Sequence, residues 1–180
     1  AMFGAFISLT KYIHDAEYKL PDITFWLMGS LTNVTATQVL TIAPIVLLAV
    51  LPLYFSSWRL NVLSFGADAA HTMGVQVERW RLVVRLSATL LTATVVSITG
   101  LIGWIGLVVP HIARFIIGSD NRYLLPAAFM LGSSFLIVID LLSRTLSALE
   151  IPLGIIASII GAPIFFFVLK SVKSKQSVWE

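Results

Sequence analysis

Between Leu86 and Ala113 the chain carries no aspartate, glutamate, lysine or arginine. A helix that crosses a bilayer needs about 20 predominantly apolar residues. This stretch is therefore too long for one crossing and too short for two full ones. Gly100, Gly103, Gly106 and Pro110 all lie inside it. Irregular backbone at membrane depth survives only where protein buries it or where it lines a cavity. How the chain treats these glycines decides the sidedness of everything after them.

The remainder has the same apolar character. Of 180 residues, 58% are hydrophobic and 12% charged, against about 45–50% and about 25% in ordinary soluble domains. So few charges cannot cover a water-soluble globule of this size. The chain reads as an all-α integral membrane protein, a polytopic helical bundle. The same figures exclude disorder, a coiled coil and nucleic-acid binding as the main activity. With no cysteine there is no disulfide framework, thiolate metal site or cysteine nucleophile.

Further spans are expected at Val39 to Phe55, Tyr123 to Ile139 and Ile151 to Leu169. Pro44 and Pro52 are tolerable within the first, as in other membrane helices. Ser56 to Arg85 is polar, Gly118 to Arg122 is a short polar turn, and the tail carries Lys170, Lys173 and Lys175. Ala1 to Leu9 lacks the basic start and clean cleavage site of a secretory signal. It reads as the end of a helix begun upstream, and the chain is expected to be part of a longer protein.

Charge placement arbitrates the glycine problem through the positive-inside rule. If Leu86 to Ala113 crosses twice, Arg59, Arg79, Arg81, Arg85, Arg114, Arg122, Lys170, Lys173 and Lys175 share one side. Lys11, Lys19 and Arg144 share the other, a split of nine to three among the 12 lysines and arginines. A single crossing gives five inside and seven outside. Two crossings are expected, one of them short or broken. The layout is then about five passes plus the end of a preceding helix. Ser56 to Arg81 and the lysine tail are cytoplasmic, and Lys11 to Gln38 and Arg144 to Pro152 external. Within the first external segment, Asp15 to Leu20 is polar. Ile23 to Met28 is amphipathic and is expected as an interfacial helix with Phe25 and Trp26 at headgroup level.

Three local patterns stand out. Gly66 through Val75 combines Asp68 near a helix start, the helix-forming Ala69 and Ala70, His71, and Gly74 as a natural stop. It is either a plain loop helix or a projection that a peripheral partner grips. Gly100, Gly103 and Gly106 repeat at three-residue spacing, and His111 and Arg114 share a helical face. This stretch is either a pathway or hinge segment, or close helix packing with an arginine reaching the interface. Asp140 and Arg144 stand four apart, as an intrahelical ion pair does. Gly154, Ser158 and Ala162, and Ala157 with Gly161, suit close helix packing. No metal site is expected, since His14 and His71 lie apart from His111 without ligand spacing. Asn33-Val34-Thr35 matches a glycosylation acceptor, too short a match to carry weight. The chain has no phosphate-binding loop, so any ATP that drives it is bound by another chain.

With these residues in order, the chain resembles the FecCD-type permeases of ABC importers, which carry ferric siderophores, haem or vitamin B12. The resemblance rests on Phe25 to Ser30, Leu63 to Val75, Gly103 to Arg114, Asp120 to Pro126, Asp140 to Arg144, and Glu150 to Gly154 continuing through Gly161 to Pro163. It covers nearly the whole chain but only the C-terminal half or so of such a permease. The resemblance implies that residues 1–180 form a single membrane-spanning domain lacking the first four and a half of ten helices. It implies a permease homodimer or pseudo-dimer in a bacterial or archaeal cytoplasmic membrane. Two ATPases, holding the ATP and magnesium, attach inside, and a substrate-binding protein docks outside. Gly66, Asp68, Ala69, Ala70, His71 and Gly74 would form the ATPase-coupling helix, with Asp68 in the usual glutamate position. Arg144 would dock the binding protein. Phe3 and Gly4, on a path-lining helix, would join Gly100, Gly103, Gly106, Pro110, His111 and Arg114 as path or hinge residues. The chain itself would be no enzyme and bind no cofactor. Some relatives move molybdate, so the substrate stays open.

Two other classes of membrane protein fit the residues less well. A rhomboid-type protease needs a serine nucleophile and a histidine base. Gly132-Ser133-Ser134-Phe135 is an incomplete motif, and no histidine follows His111. An ion-coupled carrier places ionisable groups at mid-membrane, where the clear spans here are bare.

Overall fold

The computed structural model describes residues 2–13, 20–147 and 150–176. Among them the secondary structure is helical, without strands: α1 Met2–Ile13, α2 Leu20–Leu27, α3 Ala36–Phe55, α4 Ser57–Ser64, α5 Ala67–Thr72, α6 Val77–Thr99, α7 Ile105–Ile117, α8 Asn121–Thr145 and α9 Leu153–Gln176. Three of these, α3, α6 and α8, are long and apolar enough to cross a membrane. Helix α3 starts on a capping box: Thr35 Oγ1 accepts the Gln38 N–H and Gln38 Oε1 accepts the Thr35 N–H. Its 20 residues extend about 30 Å, one hydrocarbon thickness. It ends at Ser56, whose N–H and hydroxyl both donate to the Pro52 carbonyl, at 3.0 and 2.5 Å.

Helix α3 packs along α6, whereas α7 packs on α8 and α9 and α8 on α9. Helix α5 sits on α4 and the start of α6, and α4 leans on α8. Two buried clusters result. One joins Val62 of α4, Ala70 of α5, Val75 and Val77. The other joins Ile139 of α8 with Leu153, Ile156 and Ala157 of α9. Between them the outward faces stay apolar and exposed, as Leu48, Phe129 and Ile137 illustrate. In water such faces would be an aggregation surface; a bilayer or neighbouring helices satisfy them.

The contacts define two ends. At one, Ser30 N–H donates to Thr99 O (2.9 Å), Leu153 N–H to Gly29 O (2.9 Å) and Ser143 Oγ to Ile151 O (2.5 Å). At the other, α4 and α5 meet the beginnings of α6 and α8. The chain leaves α6 at the first end and enters α8 at the second, so α7 must make the crossing between them. Its 13 residues supply only about 20 Å. Leu101 to Trp104, which are non-helical, can add about 13 Å at extended spacing. The glycine-bearing stretch thus solves the length mismatch with one full helix, a non-helical linker and a short helix. The two-crossing expectation holds.

Some expected boundaries shift. The external segment ends at Thr35 and not Gln38, because Gln38 serves the capping box inside α3. Helix α1 continues past Leu9 to Ile13 and takes in Lys11. The polar stretch Ser56 to Arg85 is not one loop: it forms α4 and α5, and Glu78, Arg79, Arg81 and Arg85 belong to α6. The helix starts there because Val77 is buried against Val62 and Ala70, and the charges ride its open face. The helix expected at Ile23 to Met28 is found at Leu20–Leu27. The expected polar segment at Asp15 to Lys19 and the turn residues Ala148 and Leu149 lie outside the described residues.

Candidate functional site

Helix α5 is short, only six residues, and its ends are built by two glycines. Gly66, at φ 101°, precedes it and its carbonyl accepts the Ala70 N–H at 3.1 Å. At the other end Gly74 N–H donates to His71 O (3.0 Å) and Val75 N–H to Ala70 O (2.9 Å). With Gly74 at φ 75°, this is a Schellman stop, and the accompanying apolar contact is Val75 with Ala70. Ala70 is fully buried, Ala69 half-buried, and Gly66, Asp68, His71 and Gly74 exposed. Of the expected coupling residues, then, Ala70 faces inward as the peg that seats the helix. The exposed ones form a small projecting surface.

The opposite end is a junction of three glycines. Gly29 (φ 76°) and Gly100 (φ 71°) carry left-handed backbone. A β-carbon on Gly100 would overlap the Trp26 carbonyl oxygen, and one on Gly154 would overlap that of Met28. One on Gly29 would lie 2.7 Å from the Leu101 oxygen. The end of α2, the end of α6 and the start of α9 therefore meet backbone to backbone. Glu150 accepts a hydrogen bond from Thr32 Oγ1 across the same region. Gly103 and Gly106 do not share this role: nothing lies within 4 Å of a β-carbon at either. Close packing at three-residue spacing is thus corrected to Gly100 alone of the three, because the helix breaks after it, leaving Gly103 in a non-helical linker and Gly106 on the open face of α7.

Helix α7 buries Val108, Val109 and Ala113 and opens the face bearing Gly106, Pro110, His111 and Arg114. The His111 ring lies 5.5 Å from Phe165 of α9. Trp104, just before α7, holds φ 66°, a strained conformation for a bulky residue. Gly161 opposes it: a β-carbon there would lie 2.8 Å from the Trp104 β-carbon. Phe3 and Gly4 lie exposed on α1, which has no buried residue. Arg144 Nε donates to Asp140 Oδ2 at 2.9 Å, the expected i,i+4 pair, and stays exposed at the glycine-junction end of α8. Arg144 and the α5 projection thus occupy opposite ends, and the α7 face lies between them.

Sequence reading missed the link between α4 and α8. Asn61 Nδ2 donates to Asp120 Oδ1 (2.6 Å), and Asn61 Oδ1 accepts both the backbone N–H and the Nδ2 of Asn121 (2.8 Å each). Asp120 caps α8 by accepting the Arg122 N–H at 2.9 Å. That hydrogen bond first, then the one from Asn61, hold the Asp120 carboxyl below its ordinary range. The Asp120-Asn121 helix-start signal was legible; Asn61, some 60 residues earlier, had no local mark. Nearby, the Arg59 guanidinium sits 4.1 Å over the Trp80 ring and ties α4 to α6.

These features define a polytopic helical membrane protein with a projecting helix at one end and a charged, glycine-locked turn at the other. The chain belongs to the FecCD transport family, whose model matches residues 1–171. It is 40% identical over 174 residues to the molybdate import system permease protein MolB of Haemophilus influenzae, covering 96% of this chain and 51% of that one. It is 35% identical over 178 residues to the hemin transport system permease protein HmuU of Yersinia pestis, covering 98% and 53%. The cobalamin import system permease protein BtuC of Halobacterium salinarum is 39% identical over 146 residues, 81% of this chain and 39% of that one. A solved inward-facing conformation of a transporter of the metal-chelate ABC type superposes with TM-score 0.87 at 40% identity, covering 94% of this chain and 55% of the other. The chain spans about half the length of the curated relatives it matches.

Proposed function

We propose that this chain supplies the membrane-crossing helices of one half of an ABC-importer permease. It works in a bacterial or archaeal cytoplasmic membrane, within a permease homodimer or pseudo-dimer. Helix α5 docks on a cytoplasmic ATPase that holds the ATP and magnesium; this chain binds no cofactor. Arg144 docks an extracytoplasmic substrate-binding protein. The α7 face with Gly106, Pro110, His111 and Arg114, the α1 face with Phe3 and Gly4, and the Gly100–Gly103 linker belong to the path or its hinge. The cargo is a metal compound: an iron chelate, haem, cobalamin or molybdate.

The observation that carries this reading is α5 itself. Its Schellman stop and buried Ala70 fix a six-residue helix so that Asp68 and His71 project beyond the bundle. It sits at the basic end of the chain, opposite Arg144. A protein with no nucleotide site of its own needs such a handle to receive work from one that has it. The work is conformational: ATP changes the handle's position, and cargo must bind the two resulting states differently.

The protease alternative loses support, since Ser133 and Ser134 donate to Phe129 and Met130 carbonyls of their own helix. A carrier driven by an ion gradient is distinguished by inhibition. Uptake through the assembled permease should stop with vanadate and persist with an uncoupler. Inhibition by the uncoupler alone would reject the importer reading.

A further inference from the structure

The polar knot at Asn61 occupies a mechanical position that neither the family match nor the expected sites describe. Helix α5 is seated through Ala70 against Val62 of α4 and Val77 of α6. Asn61 is the residue beside Val62. Both polar atoms of its side chain are committed to the start of α8: Nδ2 to Asp120, Oδ1 to the backbone and side chain of Asn121. Asn61 thus supplies to α8 an acceptor for a terminal N–H that no residue of that helix satisfies. From this anchor α8 runs 25 residues, about 37 Å, and carries Arg144 near its far end, just before the following turn. Helix α8 packs on α7 and α9, while α6 packs on α3. The most extensive packing between the α5 seat and the α7–α9 group is that of α4 on α8.

Resting on the importer reading above, we propose that Asn61 is a positioning residue. Its clasp on Asp120 and Asn121 transmits displacement of α5 to α8, and so to the external turn. A side chain this short, with three hydrogen bonds in fixed directions, cannot rotate without breaking at least one. It transmits a push as a pin joint does, where an apolar contact would slide.

The test uses the complete permease with its ATPase subunits and a single reporter cysteine, Ser147→Cys, at the external turn. Maleimide labelling of that cysteine is timed with and without ATP plus vanadate. In the parent, trapping is expected to change the labelling rate by about threefold or more. In Asn61→Ala, ATPase subunits should co-purify and hydrolyse ATP as before, and the change in rate should vanish. A rate change that persists in Asn61→Ala overturns the proposal, as does a parent whose rate never changes. If Asn61→Ala does not assemble, Asn121→Ala, which removes one bond, takes its place. A halved response supports the clasp and a full one overturns it. The double variant Asn61→Cys/Asn121→Cys, once cross-linked, should recover the response and lose it on reduction; no recovery counts against the joint. A parent permease that recruits no ATPase would overturn the importer reading instead.

Discussion

A β-carbon on residue 100 would occupy the same space as the carbonyl oxygen of Trp26. The end of α6 can therefore meet the end of α2 only because Gly100 has no side chain. This contact, together with Gly154 against Met28, turns the chain back at this end of the bundle. Gly100→Ala adds a left-handed strain of about 1–2 kcal/mol to an overpacking cost of about 1–3 kcal/mol. Thermal unfolding in detergent should show a loss of roughly 2–5 kcal/mol. Gly103→Ala and Gly106→Ala, which meet nothing within 4 Å, should stay within about 0.5 kcal/mol of the parent. Equal effects at all three positions would contradict the junction.

Cysteines placed singly at Ser119 and Ser147, in a background that has none, should label from opposite faces of a sealed membrane. Ser119 lies in the turn before α8 and Ser147 beyond its far end. An impermeant maleimide applied to intact cells is expected to reach Ser147→Cys only. Labelling of both would mean that α7 does not cross.

On α5, surface and seat should separate by substitution. Asp68→Lys and Gly74→Trp alter exposed positions and should reduce recovery of the ATPase subunits. Gly74→Trp also forces a bulky residue into φ 75° and should lower stability by about 1–2 kcal/mol. Ala70→Leu overfills a fully buried site and should cost about 1–3 kcal/mol. Unchanged ATPase recovery with Asp68→Lys would count against the coupling role.

The Arg144–Asp140 pair is exposed on the arginine side, so it contributes little to stability. Arg144→Ala should shift unfolding by no more than about 0.5 kcal/mol. Arg144→Glu should nonetheless weaken capture of the binding protein, most strongly at low salt, where charge is least screened. Surface plasmon resonance at two ionic strengths would read this. Affinity that ignores both charge and salt would reject the docking assignment.

Asp120 gives a pH dependence with a definite sign. Its folded pKa is lowered, first by the Arg122 backbone hydrogen bond and next by Asn61. Its contribution to stability is therefore present above the ordinary aspartate pKa and is lost as pH falls through the lowered folded value. The parent should lose stability faster than Asp120→Asn on acidification below about pH 4. Parallel acid profiles would show that the carboxylate does not carry the cap.

How much was legible beforehand follows from how local each cause is. The spans at Val39, Tyr123 and Ile151 were read from apolar runs, because lipid imposes its thickness on the chain residue by residue. The Gly66–Gly74 helix was read from its stop signal, and the Asp140–Arg144 pair from spacing within one turn. The boundary at Gln38 was misplaced because a capping box looks polar while already lying inside a helix. Ala70 was grouped with the coupling residues of α5, without a sign that it is buried, because its burial comes from Val62 and Val77 on other helices.

By itself, then, the sequence determined that this protein is a membrane bundle, where its crossings fall and which side is basic. These depend on hydrophobicity and charge, which each residue carries wherever it sits. Only the tertiary structure decided that Gly100 and not Gly103 or Gly106 makes the close approach. It alone revealed that Trp104 is held left-handed against Gly161, and that Asn61 caps a helix begun 60 positions later. Those features exist only where two backbones converge, and convergence is a property of the packed helices together.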